Sequence, residues 1–431
     1  MATPLLKPAP SEPSRPAGPV AGARRLRDRV LVLVLARPRA VLASGAVAVV
    51  AAMACMFLLH LAGTGHGAGV DYQVYRWAVR TWLGGGDPSQ GAAMTSADRP
   101  LPWVYPPFAL LPLAVPSVLP FVPGLWLLYL TDLAALGGVL YLAVRSMWPV
   151  AGRSGAAAAA SLGLAGTLLL EPVYASFGLG QVNILLMGLV AADCLTARPR
   201  WPRGLLVGLA AAIKLTPAAF VLFFLFRRDF RAAVVAAVTA AAGTACGFLV
   251  SFPASMDYWF GRGPAAGVSG SAYHTNQSIM GELARLELPT GVRYAVWAVL
   301  ALALLVVTAR VLRTAEAPQA LLANGLLALL ISPTSWSDHW VWAAPGVLVA
   351  LATAVRRRSI GWAVSGAAIV VAAHIAPFRM LPAAGDWNAI QHVVGNSYLL
   401  LGIAMLLLLE RDLRRRRRSP RFLAETTAAV R

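Results

Sequence analysis

The sequence predicts an all-α polytopic membrane protein, and three observations carry that prediction. Hydrophobic residues make up 58% of the chain and charged residues only 13%, a balance foreign to water-soluble domains. Apolar runs that approach bilayer length, about 20 residues, recur from residue 40 to residue 410. Short arginine clusters punctuate those runs, as topology determinants do. The net charge of +19 therefore belongs to membrane orientation and gives no nucleic-acid signature, which would need a continuous basic face. Cys55, Cys194 and Cys246 all fall inside apolar segments, and their odd number argues for neither a disulfide framework nor a metal site.

Residues 1–38 are rich in proline and then in arginine (Arg24, Arg25, Arg27, Arg29), too polar to build a core, and read as a disordered cytosolic tail. Ala40 to Leu61 is the first span, with Arg37 and Arg39 at its inner edge. Residues 62–107 form an outer loop whose aromatics, among them Tyr72, Tyr75, Trp77 and Trp82, suit the headgroup level. Phe108 to Pro120 carries Pro112, Pro116 and Pro120, so it reads as an interfacial or re-entrant segment. Arg145 with Arg153, Arg198 with Arg200, Arg227-Arg228, Arg310 with Arg313, and Arg356 to Arg358 all belong inside. Gly124 to Ala143 then crosses inward, Gly155 to Leu170 outward, Glu171 to Gly180 is an outer turn, and Gln181 to Leu195 returns.

Gly204 to Phe226 begins and ends at inner clusters. Its centre, Ile213-Lys214-Leu215-Thr216-Pro217, suits two half-helices with a break in the outer half of the membrane. A straight crossing there, with another at Phe108 to Pro120, would move more arginines outside. Ala232 to Phe252 goes out, Ala254 to Thr290 is a second outer loop, and five spans follow near 292–312, 319–332, 339–355, 359–377 and 391–410. The count is about twelve segments with both termini cytoplasmic. By region, 39–252 is the core module, 253–290 the second loop, 291–410 the C-terminal helices and 411–431 a basic tail.

The unusual polar residues converge on the outer leaflet. Asp71 lies just past the first span, where a carboxylate meets a lipid-borne substrate, although Asp is also a good N-cap for the aromatic helix that follows. Lys214 sits at the tip of the broken hairpin, where a charge costs on the order of 3 kcal/mol on insertion scales. It either neutralises a lipid phosphate or pairs with intramembrane Asp132 or with helix C-terminal carbonyls. His339 donates to a phosphate oxygen, orients Asp338, or is simply interfacial. Gln181 and Asn183 bond sugar hydroxyls or glue helices together. The second loop adds His274, Asn276 and Gln277, and Asn276-Gln277-Ser278 also matches a glycosylation sequon. There is no Walker loop, no G-x-S-x-G elbow, no zinc-spaced His/Cys cluster and no paired acids on one loop for a metal. No cofactor and no metal are expected. A lipid or sugar transporter shares such a topology, yet the sequence contains no visible inverted repeat and its polar residues gather on one side.

The acid after the first span, Tyr105-Pro106-Pro107, Gly180-Gln181-Val182-Asn183, Lys214-Leu215-Thr216-Pro217 and Arg227-Arg228-Asp229-Phe230-Arg231-Ala232 together resemble glycosyltransferase family 87. Asn276-Gln277-Ser278 and Ser337-Asp338-His339 look like its later motifs, so the resemblance runs from about residue 60 to 345. It implies a GT-C fold with interfacial helices in the first outer loop. It also implies an α-(1→2)-type mannosyltransferase that uses polyprenyl-phosphate-mannose at the outer face of a bacterial cytoplasmic membrane. The same family resemblance extends to arabinofuranosyltransferases that use decaprenyl-phosphate-arabinose. The acceptor is a lipid-linked or polysaccharide hydroxyl drawn from the membrane surface. Many GT-C proteins carry paired acids in the first loop, whereas Asp71 is followed by Tyr72, Gln73 and Val74, which speaks against a divalent metal. An inverting single displacement needs a base for the attacking hydroxyl, which points to Asp71. It also needs cations for the leaving phosphate, the expected role of Lys214, His339 and Arg76. Tyr105, Gln181, Asn183, His274, Asn276, Gln277 and Asp338 are the expected sugar or acceptor contacts.

Overall fold

The computed structural model describes residues 37–63, 69–98, 100–261 and 269–417. Most of both terminal tails, the Cys55 side chain and parts of the two outer loops lie outside the described residues. The helices are α1 (Pro38–Gly63), α2 (Val70–Leu83), α3 (Leu110–Val118), α4 (Phe121–Met147), α5 (Gly152–Thr167), α6 (Glu171–Leu179), α7 (Asn183–Leu195), α8 (Leu205–Ile213), α9 (Val221–Phe226) and α10 (Phe230–Val250). After them come α11 (Phe252–Phe260), α12 (Ile279–Arg285), α13 (Thr290–Leu312), α14 (Ala317–Ile331), α15 (Ala343–Arg357), α16 (Ile360–Ile375), α17 (Ala389–Gly395) and α18 (Ser397–Arg417). Two three-residue strands, Ala92–Met94 and Pro100–Pro102, pair antiparallel in the loop between α2 and α3.

Helix occupies each of the twelve predicted segments, but segments and membrane-length spans are different counts. Among the described residues, five helices are long and apolar enough to cross a membrane, or seven if each of two bent pairs forms one span. One of those pairs corrects the sequence reading, because Glu171 to Gly180 is a helix and not a turn. α6 is bent by 77° from the helix before it. Pro172 starts it, where a missing N–H costs nothing, and Gly180 ends it in the left-handed region at φ 68°.

The segment from Gly204 to Phe226 is broken as its sequence predicts. Lys214 terminates α8 in extended geometry, and Pro217 opens a new 3-10 turn over Thr216–Phe220 that runs into α9. The two ends of the segment return to the same place, since Arg203 and Asp229 form an ion pair at 4.0 Å. Helices continuing in one direction over this length would separate those residues by about 39 Å at 1.5 Å per residue. Asp193 fixes the entry, its buried carboxylate accepting from the Gly204 and Val207 N–H groups and the Trp201 indole. It thereby satisfies donors at the start of α8 that have no intrahelical partner.

Small residues set how closely the helices approach. A Cβ at Gly204 would come within 2.0 Å of the Ala232 carbonyl oxygen, and one at Gly208 within 2.4 Å of that of Ala236. Gly45 stands against Ser161 in the same way, joining α1 to α5. Backbones brought this close gain dispersion contacts, the attraction available where lipid is as apolar as the protein.

Gly208→Ala is therefore expected to destabilise the fold by about 1–3 kcal/mol through overpacking against the α10 backbone. Gly166→Ala, which meets no atom within 4 Å, serves as the control with little change. Thermal denaturation of the two purified variants in detergent checks the contrast, and equal midpoints would refute it.

Candidate active site

The site is built from α2, the start of α7, the break after α8 and the 3-10 turn at Ser337–Trp342. Gly69, at φ 74°, precedes α2 and donates its N–H to the Gly178 carbonyl. Gly180 lies against it, since a Cβ there would be 2.8 Å from Cβ of Tyr72 and 3.4 Å from the Gly69 Cα. This approach of two glycines brings Asp71 and Gln181, 110 residues apart, into contact. Gln181 Nε2 donates to Asp71 Oδ2 at 2.6 Å. Asp71 lies inside the first turn of α2 and Gly69 occupies the capping position, so the alternative of an N-capping acid does not describe it.

The Gln181 carbonyl oxygen accepts from the Tyr75 and Tyr105 hydroxyls at 2.9 and 2.8 Å. Two hydroxyl donors on one side of the amide leave its NH₂ group facing the carboxylate, which fixes its orientation. The two phenols are themselves 2.8 Å apart with rings edge to face. Burial pushes both phenols above the ordinary tyrosine range, so they stay neutral donors. Asn183 repeats the pattern. Its Nδ2 donates to Asp338 Oδ2 at 2.9 Å and to the Asp338 carbonyl at 3.2 Å, and its Oδ1 accepts from Lys214 Nζ at 2.7 Å.

Lys214 also donates to His339 Nε2 at 3.4 Å and lies 5.2 Å from the Tyr105 ring centroid. An ammonium only donates, so His339 Nε2 is an acceptor and the ring proton sits on Nδ1. Lys214, Asn183 and His339 stand on the wall of a cleft whose other sides are largely apolar, including Leu186, Met187, Phe220, Leu329 and Trp342. Asp71 does not line that cleft; it is reached past Tyr105 through Gln181. A second cleft shares Trp342 and is almost wholly apolar.

Thus Asp71, Tyr105, Gln181, Asn183, Lys214, Asp338 and His339 converge, and four of the expected residues do not join them. Arg76 turns to the Leu119 carbonyl and the Tyr72 ring, tying α2 to the loop before α4. The Asn276 amide is used within the protein, on the Ser271 and Pro333 carbonyls, the Ser335 N–H and the Ser278 hydroxyl. Gln277 is likewise committed to the His274 and Gly395 carbonyls and the Tyr398 N–H. These amides bind the segment before α12 to the Pro333–Ser335 stretch and to α18. His274 lies against Leu381 and Phe378, and burial lowers its basicity. Lys214 does not pair with Asp132, whose carboxylate accepts from the Leu185 N–H at the start of α7.

Two participants were not singled out from sequence. Tyr75 stands one helical turn from Asp71, a spacing that could have flagged it. Glu171 is fully buried and binds Ser337, Arg379 and Tyr398.

Comparison with known proteins bears on this arrangement. The sequence model of glycosyltransferase family 87 matches residues 103–333. The chain is 36% identical over 355 residues, 78% of its own length and 83% of the relative's, to a polyprenol-phosphate-mannose-dependent alpha-(1-2)-phosphatidylinositol mannoside mannosyltransferase of Mycobacterium tuberculosis. To the protein of the same description from Mycolicibacterium smegmatis it is 35% identical over 373 residues, covering 79% and 83% of the two chains. A phosphatidylinositol pentamannoside mannosyltransferase of Mycobacterium tuberculosis is 34% identical over 276 residues, 62% of this chain and 63% of that one. No solved structure matches.

Proposed function

Because this chain belongs to glycosyltransferase family 87, we propose that it transfers a mannosyl residue from polyprenyl-phosphate-mannose to a phosphatidylinositol mannoside at the outer face of the membrane. The observation that carries the reading is one ammonium on the wall of an otherwise largely apolar cleft, with a carboxylate one aromatic ring and one amide away. A polyprenyl phosphate has that polarity, a long apolar chain ending in an anion. In this reading the chain follows Leu186, Met187, Phe220 and Trp342, the phosphate meets Lys214, and the sugar lies over Tyr105 toward Asp71. The fold is GT-C, both termini are cytoplasmic, and the hairpin tip and the Ser337–Trp342 turn face outward.

The chemistry is a single displacement. Asp71 takes the proton of the attacking hydroxyl as its oxygen bonds to the anomeric carbon. The bond from that carbon to the phosphate oxygen breaks, and its electron pair leaves with the phosphate. Inversion follows from attack opposite the leaving group. Lys214 stabilises the charge that develops, and it does so from a water-poor site where a fixed cation acts more strongly than in water. Gln181 holds the carboxylate, and Asn183 holds both Lys214 and Asp338. The acceptor follows the two relatives that cover most of the chain, whose description is a phosphatidylinositol mannoside mannosyltransferase.

Two measurements test this. Membranes containing the protein, supplied with labelled polyprenyl-phosphate-mannose, are expected to move label into a phosphatidylinositol mannoside. Label appearing only in protein or polysaccharide would overturn the acceptor assignment. Asp71→Asn is expected to lower kcat by about 10²–10⁴ with normal expression, the usual worth of a general base, and near-normal turnover would remove Asp71 from that role.

Lys214→Met should reduce kcat by about 10²–10³, the scale for losing one preorganised stabilising group. A rise in KM alone would instead assign Lys214 to ground-state binding.

A further inference from the structure

Glu171 opens α6, and its carboxylate is completely buried. Three segments distant in sequence deliver donors to it. The Ser337 hydroxyl bonds Oε1 at 2.8 Å, the Arg379 guanidinium bonds the same oxygen, and the Tyr398 hydroxyl bonds Oε2 at 2.9 Å. A buried carboxylate with this many donors is costly to place unless every partner is kept. Ser337 directly precedes Asp338 and His339, and Asp338 is held from the other side by Asn183 through both its carboxylate and its carbonyl. The turn carrying Asp338 and His339 is therefore clamped between α6 and α7. Ser337, Arg379 and Tyr398 all lie beyond the stretch that the family's sequence model covers.

We propose that Glu171 is a positioning residue for mannosyl transfer: through Ser337 it sets where Asp338 and His339 stand against Asn183 and Lys214, while Arg379 balances the charge buried with it. The proposal rests on the transferase reading above. It makes the outer stretch from Arg379 to Tyr398 a determinant of turnover without any contact to substrate. An amide at position 171 offers one acceptor oxygen where the carboxylate offers two, and it turns N–H groups toward donors. It keeps the three partners only if the Tyr398 hydroxyl turns from donor to acceptor, and it removes the charge that Arg379 balances.

The test compares Glu171→Gln, Ser337→Ala, Ser337→Thr and the double variant Glu171→Gln/Ser337→Ala, assayed with polyprenyl-phosphate-mannose and a phosphatidylinositol mannoside, with thermal midpoints measured alongside. Glu171→Gln and Ser337→Ala are each expected to lower kcat by about tenfold or more, since displacing a reacting group by about 1 Å costs up to ~10²-fold. KM for the donor should stay within about twofold. Ser337→Thr, which keeps the hydroxyl, should restore most of the rate, and the double variant should be no slower than the slower single one. The proposal fails if Ser337→Ala turns over at the wild-type rate, or if Glu171→Gln lowers only the folded yield while the remaining enzyme keeps its kcat. A wild-type protein that transfers no mannose would overturn the underlying activity instead, which separates the two failures.

Discussion

An ammonium drawn into an apolar bundle has to be solvated by protein, and the site is organised around that requirement at Lys214. Insertion scales put the cost of such a charge on the order of 3 kcal/mol, so the surroundings must supply acceptors at close range. They come from three separate elements: the Asn183 carbonyl at the start of α7, His339 on the Ser337–Trp342 turn, and the Tyr105 ring from the loop between α2 and α3. The break that exposes Lys214 rests on Pro217, and the hairpin that places it is closed by the Arg203–Asp229 pair and entered through the Asp193 cap. Fold and site thus share one origin. The helix is interrupted where its lysine is needed.

The second organising feature is the stretch Gly180-Gln181-Val182-Asn183. Two amides separated by one residue each turn an NH₂ group toward a carboxylate and a carbonyl toward other donors. Gln181 serves Asp71 and the two tyrosines; Asn183 serves Asp338 and Lys214. Gly180 makes this possible because its left-handed φ ends α6, and its missing side chain lets Tyr72 and Gly69 approach. An alanine there would meet Tyr72 and push Gln181 from Asp71.

What the sequence revealed and what it hid divide along physical lines. Lys214 and its break were legible because a charge and a proline inside an apolar run flanked by arginines admit few arrangements. Asp71 was legible from its place after the first span, yet its partner was not, since no pattern states that Gly69 and Gly180 touch. Asn276 and Gln277 read as sugar or acceptor contacts because Asn276-Gln277-Ser278 resembles one of the family's later motifs. Their partners are backbone carbonyls and N–H groups, which leave no mark in a sequence. Glu171 was hidden by the opposite error: Glu171 to Gly180 reads as an outer turn, whereas Pro172 and Gly180 are the start and stop of a helix.

The amides also explain why opposite charges can coexist here without neutralising one another. Were Asp338 hydrogen-bonded directly to Lys214, the pair would be largely spent on itself and a phosphate would have to compete with the carboxylate. Asn183 stands between them, accepting from the ammonium and donating to the acid, so each is stabilised by a neutral dipole. Gln181 donates to Asp71 and accepts from the neutral Tyr75 and Tyr105 hydroxyls. A cation held by an amide carbonyl keeps its attraction for an arriving anion. In the proposed transferase, that arrangement leaves Lys214 available to the leaving phosphate. It also accounts for amides, rather than further charges, filling the space between Asp71, Lys214 and Asp338.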